Sequence, residues 1–210
     1  MTRIAILDYG MGNLRSVEKA LERVGSEAAI TADPAAVRGA DGVILPGVGA
    51  FPAAMRRVHE LGLDALVSER LDAGTPVLGI CLGLQLLFTR SSENEGADGL
   101  GLVAGEVGPL AAPGLKVPHI GWSPVRWERD SELIQGLESE SPFYFVHTFT
   151  PRPSEPGDVL GSAEYGERFA CAVARPPLYG VQFHPEKSST AGLRLLSNFA
   201  EICARVVSAA

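Results

Sequence analysis

The first half of the sequence alternates short, continuously apolar runs with amphipathic helical segments. Residues 3–8 form a strand-like apolar run that ends in an acid. The segment behind it carries Leu14, Val17 and Leu21 at the spacing of one helical face. Strands that are apolar throughout are typical of parallel sheets, in which helices cover both faces. The sequence therefore predicts an α/β fold: a single open mixed, mostly parallel sheet with helices on both faces.

The same patterns give the expected order of elements. In the first half they predict strands at residues 3–8, 27–31, 42–45 and 76–80, and helices at residues 14–24, 53–73 and 82–90. Asn13 is expected to cap the first helix. In the second half they predict strands at residues 122–127, 143–149, 159–163, 169–174 and 178–183, and a last helix from about Thr190. The gaps there are short and rich in Pro and Gly, so some of these strands should pair antiparallel.

Length and charge limit the class of protein. The chain has 210 residues and no segment that reads as a linker, so we expect a single domain over residues 1–210. Its 18 basic and 25 acidic residues give a net charge of −7 without a basic block. This balance argues against nucleic acid and against an anionic membrane surface as partners. No apolar run approaches the roughly 20 residues of a membrane span.

Cysteine usage indicates the compartment. Cys81, Cys171 and Cys203 give an odd number without metal-ligand spacing. Unpaired thiols persist in a reducing environment, so we expect a cytoplasmic protein. The sequence implies neither a metal nor an organic cofactor.

A candidate nucleophile lies within residues 79–83, Gly-Ile-Cys-Leu-Gly. A strand runs into a tight turn with Cys81 at its apex and a glycine two places to either side, which is the pattern of a nucleophile elbow. The glycines are needed because larger side chains would collide with the adjoining strand and helix. The helix start favours a thiolate, and the backbone N–H of Leu82 points to where an oxyanion would form. A lone cysteine is often only a buried structural residue, but this glycine spacing favours catalysis.

A candidate base follows a hydrophobic strand near the C-terminus. His184 ends that strand, and Glu186 stands two residues later, where a carboxylate can orient the imidazole. Alone, this pattern is as compatible with a turn or cap. His59 lies in a charged helical stretch and is expected to be solvated. Open α/β sheets place their sites at the carboxyl edge, so Cys81 and His184 should meet there.

These segments carry a family resemblance. Residues 79–85, Gly-Ile-Cys-Leu-Gly-Leu-Gln, and residues 182–186, Gln-Phe-His-Pro-Glu, resemble the two active-site motifs of class I glutamine amidotransferases. The resemblance implies an open α/β fold with a catalytic triad of Cys81, His184 and Glu186. It also implies hydrolysis of glutamine through a cysteine thioester.

Further segments resemble one branch of that family, the glutaminase subunits of imidazole glycerol phosphate synthases. They are residues 8–14, 46–51, 118–122, 144–147 and 184–188, and they keep the order of the branch over essentially the whole chain. The resemblance implies a heterodimer in histidine biosynthesis, in which ammonia passes to a separate cyclase subunit of (β/α)₈ fold. Two departures stand out: Ser123 replaces an Asn, and Thr148-Phe149 replaces Ser-Tyr.

The resemblance also assigns supporting roles. It places oxyanion or substrate contacts at Gly47, Val48, Gly49, Leu82, Gln85, Thr148 and Phe149. An ordinary strand-to-helix turn is the alternative for residues 47–49. Lys187 is a candidate contact with the cyclase, and a solvated lysine is an equal alternative. Trp122 belongs to a segment near the ammonia exit in the family, and core packing is an equal alternative.

Other functions remain open from the sequence alone. The chain could be the glutaminase of another class I amidotransferase, although residues 8–13 and 46–51 argue against this. It could be a stand-alone cysteine hydrolase of γ-glutamyl substrates, which would need no partner. A catalytically dead interaction module is a third alternative, against which the intact triad argues.

Overall fold

The computed structural model describes residues 1–209. The strands are β1 Arg3–Leu7, β2 Glu27–Thr31, β3 Gly42–Gly47, β4 Val77–Cys81, β5 Phe88–Ser91, β6 Ala97–Asp98, β7 Val103–Pro109, β8 His119–Trp127, β9 Glu140–His147, β10 Phe149–Pro153, β11 Val159–Tyr165, β12 Glu167–Arg175 and β13 Leu178–Val181. The α-helices are α1 Leu14–Arg23, α2 Pro34–Arg38, α3 Phe51–Glu60, α4 Leu63–Asp72, α5 Leu82–Leu86 and α6 Ser189–Ala209. None of the helices in this part of the chain is both long and apolar enough to cross a membrane.

The main sheet has the strand order β2-β1-β3-β4-β13-β12-β11-β8-β9. The pairs from β2 to β13 are parallel, and the pairs from β13 to β9 are antiparallel. The predicted mixed α/β fold is confirmed. The change of direction follows from the connections: helices link the first strands, whereas short turns link the later ones.

A second sheet of order β10-β7-β5-β6 stands beside the main one. The sequence reading expected one sheet and a helix over residues 82–90. That helix ends at Leu86, and β5 begins at Phe88. Pairing with β7 stabilises this strand. Because β7 lies more than ten residues further along the chain, the local spacing of apolar residues does not indicate the pairing. The short helix α2 and the strand β7 were also not predicted.

Two apolar clusters cover the two faces of the main sheet. Ile4 and Ile6 of β1 belong to the cluster under α1 and α6, while Ala5 and Leu7 belong to the cluster under α3 and α4. Successive side chains of a strand point to opposite faces, so a run that is apolar throughout is buried on both. This explains why β1, β3 and β4 carry almost no polar side chains.

One local prediction differs from the structure, and one open alternative is excluded by it. Asn13 occupies the N-cap position of α1, but its side chain makes no capping hydrogen bond. Trp122 is 52% exposed, so it does not pack in the core. It lies on the outer face of β8 with its ring edge-on to Tyr144.

Candidate active site

Three neighbouring parallel strands end together at one edge of the main sheet. β4 lies between β3 and β13, and the register pairs Cys81 with Gly47 and Ile80 with Val181. The residues that follow β13 therefore emerge beside Cys81. This is the carboxyl edge, where open α/β sheets place their sites.

Cys81 sits at a strained turn between β4 and α5. Its backbone has φ 56° and ψ −109°, in a region that side chains rarely adopt. A Cβ on Gly83 would lie 1.7 Å from the carbonyl oxygen of Leu45, and one on Gly79 would lie 2.8 Å from the backbone of Gly83. The two glycines are thus required by close backbone approach, as the elbow pattern predicts.

His184 and Glu186 form a buried pair beside the cysteine. Nδ1 of His184 lies 2.9 Å from Oε1 of Glu186. Nε2 of His184 is buried without a hydrogen-bond partner among the described residues. Burial alone would lower the pKa of His184, but the adjacent Cys81 and Glu186 outweigh it and raise the pKa to about 9. Nδ1 is bonded to Glu186, so Nε2 is the ring nitrogen that is available for proton transfer.

The other histidines are unsuited to act as the base. Burial lowers the pKa of His147 to about 4, and its Nδ1 donates to the carbonyl of Phe149 at 3.0 Å. His119 is buried, with Nδ1 3.1 Å from Nε2 of His147 and Nε2 3.0 Å from Oγ of Ser123. Burial also lowers the pKa of His119. His59 is exposed and contacts Asp64, as expected for a solvated residue.

A cavity of about 240 Å³ opens next to Cys81. Its wall contains Cys81. It also contains six of the residues that were predicted from the sequence to contact the oxyanion or the substrate: Val48, Gly49, Leu82, Gln85, Thr148 and Phe149. A larger open depression of about 980 Å³ lies elsewhere, between Trp127 and Arg205, and contains no thiol or imidazole. The smaller cavity, which contains the thiol, is therefore the candidate active site.

Four of the expected site residues are not part of this wall: His184 and Glu186 of the triad, Gly47 and Lys187. Gly47 ends β3 opposite Cys81, and a Cβ there would lie 2.1 Å from the hydroxyl of Tyr9. That hydroxyl donates to the carbonyl of Pro46 at 2.6 Å, which anchors the start of the loop. Lys187 is exposed in the short 3₁₀ helix Pro185–Lys187.

Glu93 lines the cavity and was missed by the sequence reading. Its Oε2 accepts a 2.7 Å hydrogen bond from the backbone N–H of Phe51 at the start of α3. That bond holds the carboxylate at the cavity although Glu93 lies in a polar loop between strands. No local pattern distinguishes Glu93 from neighbouring acids of the same loop. Among the described residues, no group of three or more His, Cys, Asp or Glu side chains is arranged to hold a metal.

Comparison with known proteins agrees with this geometry. The sequence model of the family described as glutamine amidotransferase class-I matches residues 5–203. The chain belongs to this family. The resemblance noted in the two active-site motifs is confirmed.

Curated proteins of high similarity include HisH subunits of imidazole glycerol phosphate synthase. Imidazole glycerol phosphate synthase subunit HisH of Moorella thermoacetica is 52% identical over 202 residues, which cover 96% of each chain. The protein of the same name from Symbiobacterium thermophilum is 48% identical over 208 residues, covering 99% of this chain and 98% of that one. The similarity extends over essentially the whole length, as the sequence motifs indicated.

Solved structures share the fold at lower identity. PurLQS from Thermotoga maritima superposes with a TM-score of 0.75 at 17% identity, covering 96% of this chain and 98% of that one. A crystal structure of a glutamine amidotransferase superposes with a TM-score of 0.75 at 24% identity and coverage of 96% and 98%. At this identity the likeness shows the class-I glutamine amidotransferase fold and nothing finer.

Proposed function

We propose that this chain is the glutaminase subunit of imidazole glycerol phosphate synthase. It hydrolyses glutamine to glutamate and ammonia and delivers the ammonia to a cyclase subunit. The cyclase makes imidazole glycerol phosphate and aminoimidazole carboxamide ribonucleotide in histidine biosynthesis. Full-length similarity to HisH subunits supports this assignment. The observation that carries the chemistry is Cys81 on a strained turn beside the buried pair of His184 and Glu186.

In this mechanism the thiolate of Cys81 attacks the carboxamide carbon of glutamine. The protonated His184 gives its Nε2 proton to the leaving nitrogen, and ammonia departs from the thioester. Neutral His184 then takes a proton from water, which attacks the thioester and releases glutamate and the thiolate. A pKa near 9 keeps His184 protonated at neutral pH, so it can give a proton to the leaving nitrogen.

Backbone N–H groups stabilise the oxyanion. Leu82 follows the nucleophile at the start of α5, where its N–H is free of an intrahelical partner. The loop of Gly47, Val48 and Gly49 borders the same cavity and is proposed to supply a second donor. Gly49 has a φ of 116°, which only glycine adopts without strain. Its peptide can therefore rotate at small steric cost.

The cavity wall supplies contacts for the amino-acid end of glutamine. Glu93 is the carboxylate of that wall, so it is suited to the α-ammonium group. Thr148 and Phe149, between β9 and β10, also line the cavity, and we expect their backbone groups to contact glutamine. Gln85 lies one turn after the nucleophile and lines the same wall.

The partner is proposed to be a (β/α)₈ cyclase that docks next to the cavity. Large apolar side chains are exposed on and just before β8: Leu115, Val117, Ile120 and Trp122. Pro118, in the same segment, lines the cavity, so a protein bound to this face would cover its mouth. An exposed apolar face of this kind marks an interaction surface. The three cysteines are free, which supports a reducing, cytoplasmic location.

Steady-state glutaminase assays test this proposal. They compare the chain alone, the chain with a cyclase subunit, and the complex with the nucleotide ligand of the cyclase. We expect weak hydrolysis by the isolated chain and a strong rise in the liganded complex. A missing oxyanion donor costs roughly a hundred- to a thousand-fold in turnover, which sets the scale of activation if the loop of Gly49 rotates. Full activity in the isolated chain would instead favour a stand-alone hydrolase.

A further inference from the structure

We propose that Gln182 is a positioning residue for the nucleophile: its side-chain amide donates a hydrogen bond to the Cys81 sulfur, and Gln85 fixes the direction of that amide. The inference rests on the proposed role of Cys81 as the nucleophile. It adds two side chains to the three of the triad and gives Gln85 a second role besides lining the cavity.

The contact joins residues at the ends of adjacent strands. Nε2 of Gln182 lies 3.6 Å from Sγ of Cys81, within the range of hydrogen bonds to sulfur. The side chain of Gln182 is fully buried, so water does not compete for its amide. Gln182 does not line the glutamine cavity. It therefore contacts Cys81 from the interior of the protein.

A backbone carbonyl determines the orientation of both amides. The carbonyl oxygen of Phe149 can only accept, so the Gln85 atom 3.0 Å from it is the donor Nε2. The same Nε2 lies 3.0 Å from the side chain of Gln182, and the atom it faces must be the acceptor Oε1. The other end of that amide, Nε2, then faces Cys81. The hydrogen-bond network therefore determines that Nε2 of Gln182, and not Oε1, faces the sulfur of Cys81.

Further bonds hold this carbonyl in place. His147 also donates to the oxygen of Phe149, and His119 and Ser123 continue the chain of hydrogen bonds behind it. These three side chains are buried. Because the carbonyl oxygen can only accept, the donor of each successive hydrogen bond in the chain is determined. The amide of Gln182 is therefore held by a rigid scaffold.

The contact favours the reactive form of the nucleophile. Sγ of Cys81 also lies 3.7 Å from the carbonyl oxygen of Val146, to which a thiol can donate. A thiolate loses that bond and keeps only a repulsive contact with the oxygen. The N–H of Gln182 acts in the opposite sense, because hydrogen bonds to a charged acceptor are stronger than those to a neutral one. Gln182 thus offsets Val146 when the thiolate forms.

Alkylation by iodoacetamide tests this directly, since the reaction needs the thiolate but neither the oxyanion donors nor glutamine. The variant is Gln182→Met, which keeps the length of the side chain and removes the N–H. We expect alkylation of Cys81 near neutral pH to slow by about tenfold, with its pH profile moved to higher pH. In the complex with the cyclase, kcat should fall by a similar factor while KM for glutamine stays unchanged. Gln135→Met makes the same chemical change at an exposed site and should behave as wild type.

The thiols of Cys171 and Cys203 do not interfere with the alkylation measurement. Burial raises the pKa of Cys203 to about 12 and that of Cys171 well above its ordinary value, so both stay protonated. Peptide mass spectrometry assigns the modified residue, and Cys81→Ala provides the blank.

Thermal unfolding separates a loss of fold from a loss of reactivity. If Gln182→Met does not fold, Gln182→Leu decides, because it removes the donor to sulfur without placing a charge at this fully buried position. It should show the same slower alkylation at neutral pH. Wild-type alkylation and kcat in a folded Gln182 variant would overturn the inference, even with a lower melting temperature. Failure of the glutaminase assay with an intact alkylation effect would overturn the proposed function instead.

Discussion

His184 and Glu186 meet at 2.9 Å between Nδ1 and Oε1, with side chains that are only 5% and 2% exposed. The carboxylate accepts a hydrogen bond from Nδ1–H, so Nε2 is the ring nitrogen left for the nucleophile. Both residues flank Pro185 in the turn after β13, so they are neighbours because of their spacing in the sequence. The third member, Cys81, comes from a strand about a hundred residues earlier and is brought in only by the pairing of β4 with β13.

Replacing Glu186 with Gln should leave the fold intact and slow glutamine turnover. The imidazole loses the charge that orients it and stabilises its protonated form, a change that costs about ten-thousand-fold in turnover in serine-protease triads. The loss should be smaller than for His184→Ala. Steady-state kinetics of the complex with saturating glutamine measure both. Wild-type turnover in Glu186→Gln would mean that the carboxylate has no part in the reaction.

The same variant has a signature in stability against pH. The pKa of His184 is about 9 in the folded chain, above its ordinary value of 6.5, so its protonation stabilises the fold. This contribution is complete below about pH 6.5 and is lost as the pH rises through about 9. Glu186→Gln should reduce it, so the free energy of unfolding should fall less between these pH values than in the wild type. Denaturant unfolding at several pH values is the measurement, and parallel profiles would contradict it.

Replacing Cys81 with Ala should abolish glutamine hydrolysis, because no other group in the cavity wall is placed to form the thioester. The complex should still make imidazole glycerol phosphate from added ammonium salt, since the cyclase step needs only ammonia. Product formation is followed with each nitrogen source in turn. Glutaminase activity above about one per cent of wild type would be far more than the loss of a triad member leaves, and would assign the nucleophile elsewhere.

Gly83→Ala should destabilise the fold. The new Cβ would lie 1.7 Å from the carbonyl oxygen of Leu45, so strand β3 or helix α5 must move. Overpacking of this kind costs about 1–3 kcal/mol or more of unfolding free energy. Gly157→Ala is the matched control, because a Cβ there meets nothing within 4 Å and φ is not positive. Equal midpoints of the two variants in denaturant would show that the elbow tolerates a side chain.

Lys187→Ala should weaken binding to the cyclase while leaving the fold unchanged. Lys187 is exposed and follows the triad acid Glu186 directly in the sequence. Titration calorimetry gives the affinity, and glutamine turnover in the complex gives the coupling. Arg38→Ala removes another exposed cation, on α2 and outside the cavity wall, and should change neither. If Lys187→Ala also changes neither, Lys187 is a solvated lysine and not an interface residue.

Local patterns in the sequence determined the nucleophile elbow, the His-Pro-Glu turn and the order of most strands and helices. An elbow needs small residues at fixed offsets from the cysteine, and apolar runs report burial on both faces of a strand, so both can be read within a few residues. The prediction from local spacing was wrong where a distant strand pairs with the segment. Residues 88–90 have a helical pattern but form β5, because they pair with β7.

Only the tertiary structure decided which polar side chains gather around the nucleophile. Glu93 reaches the cavity because the N–H of Phe51, 42 residues away, holds its carboxylate. Gln182 faces Cys81 across 101 residues of chain because β13 pairs in parallel with β4 in one particular register. A shift by one residue would turn each strand's side chains to the opposite face of the sheet. Such contacts depend on how distant strands align, and no short segment of sequence encodes that alignment.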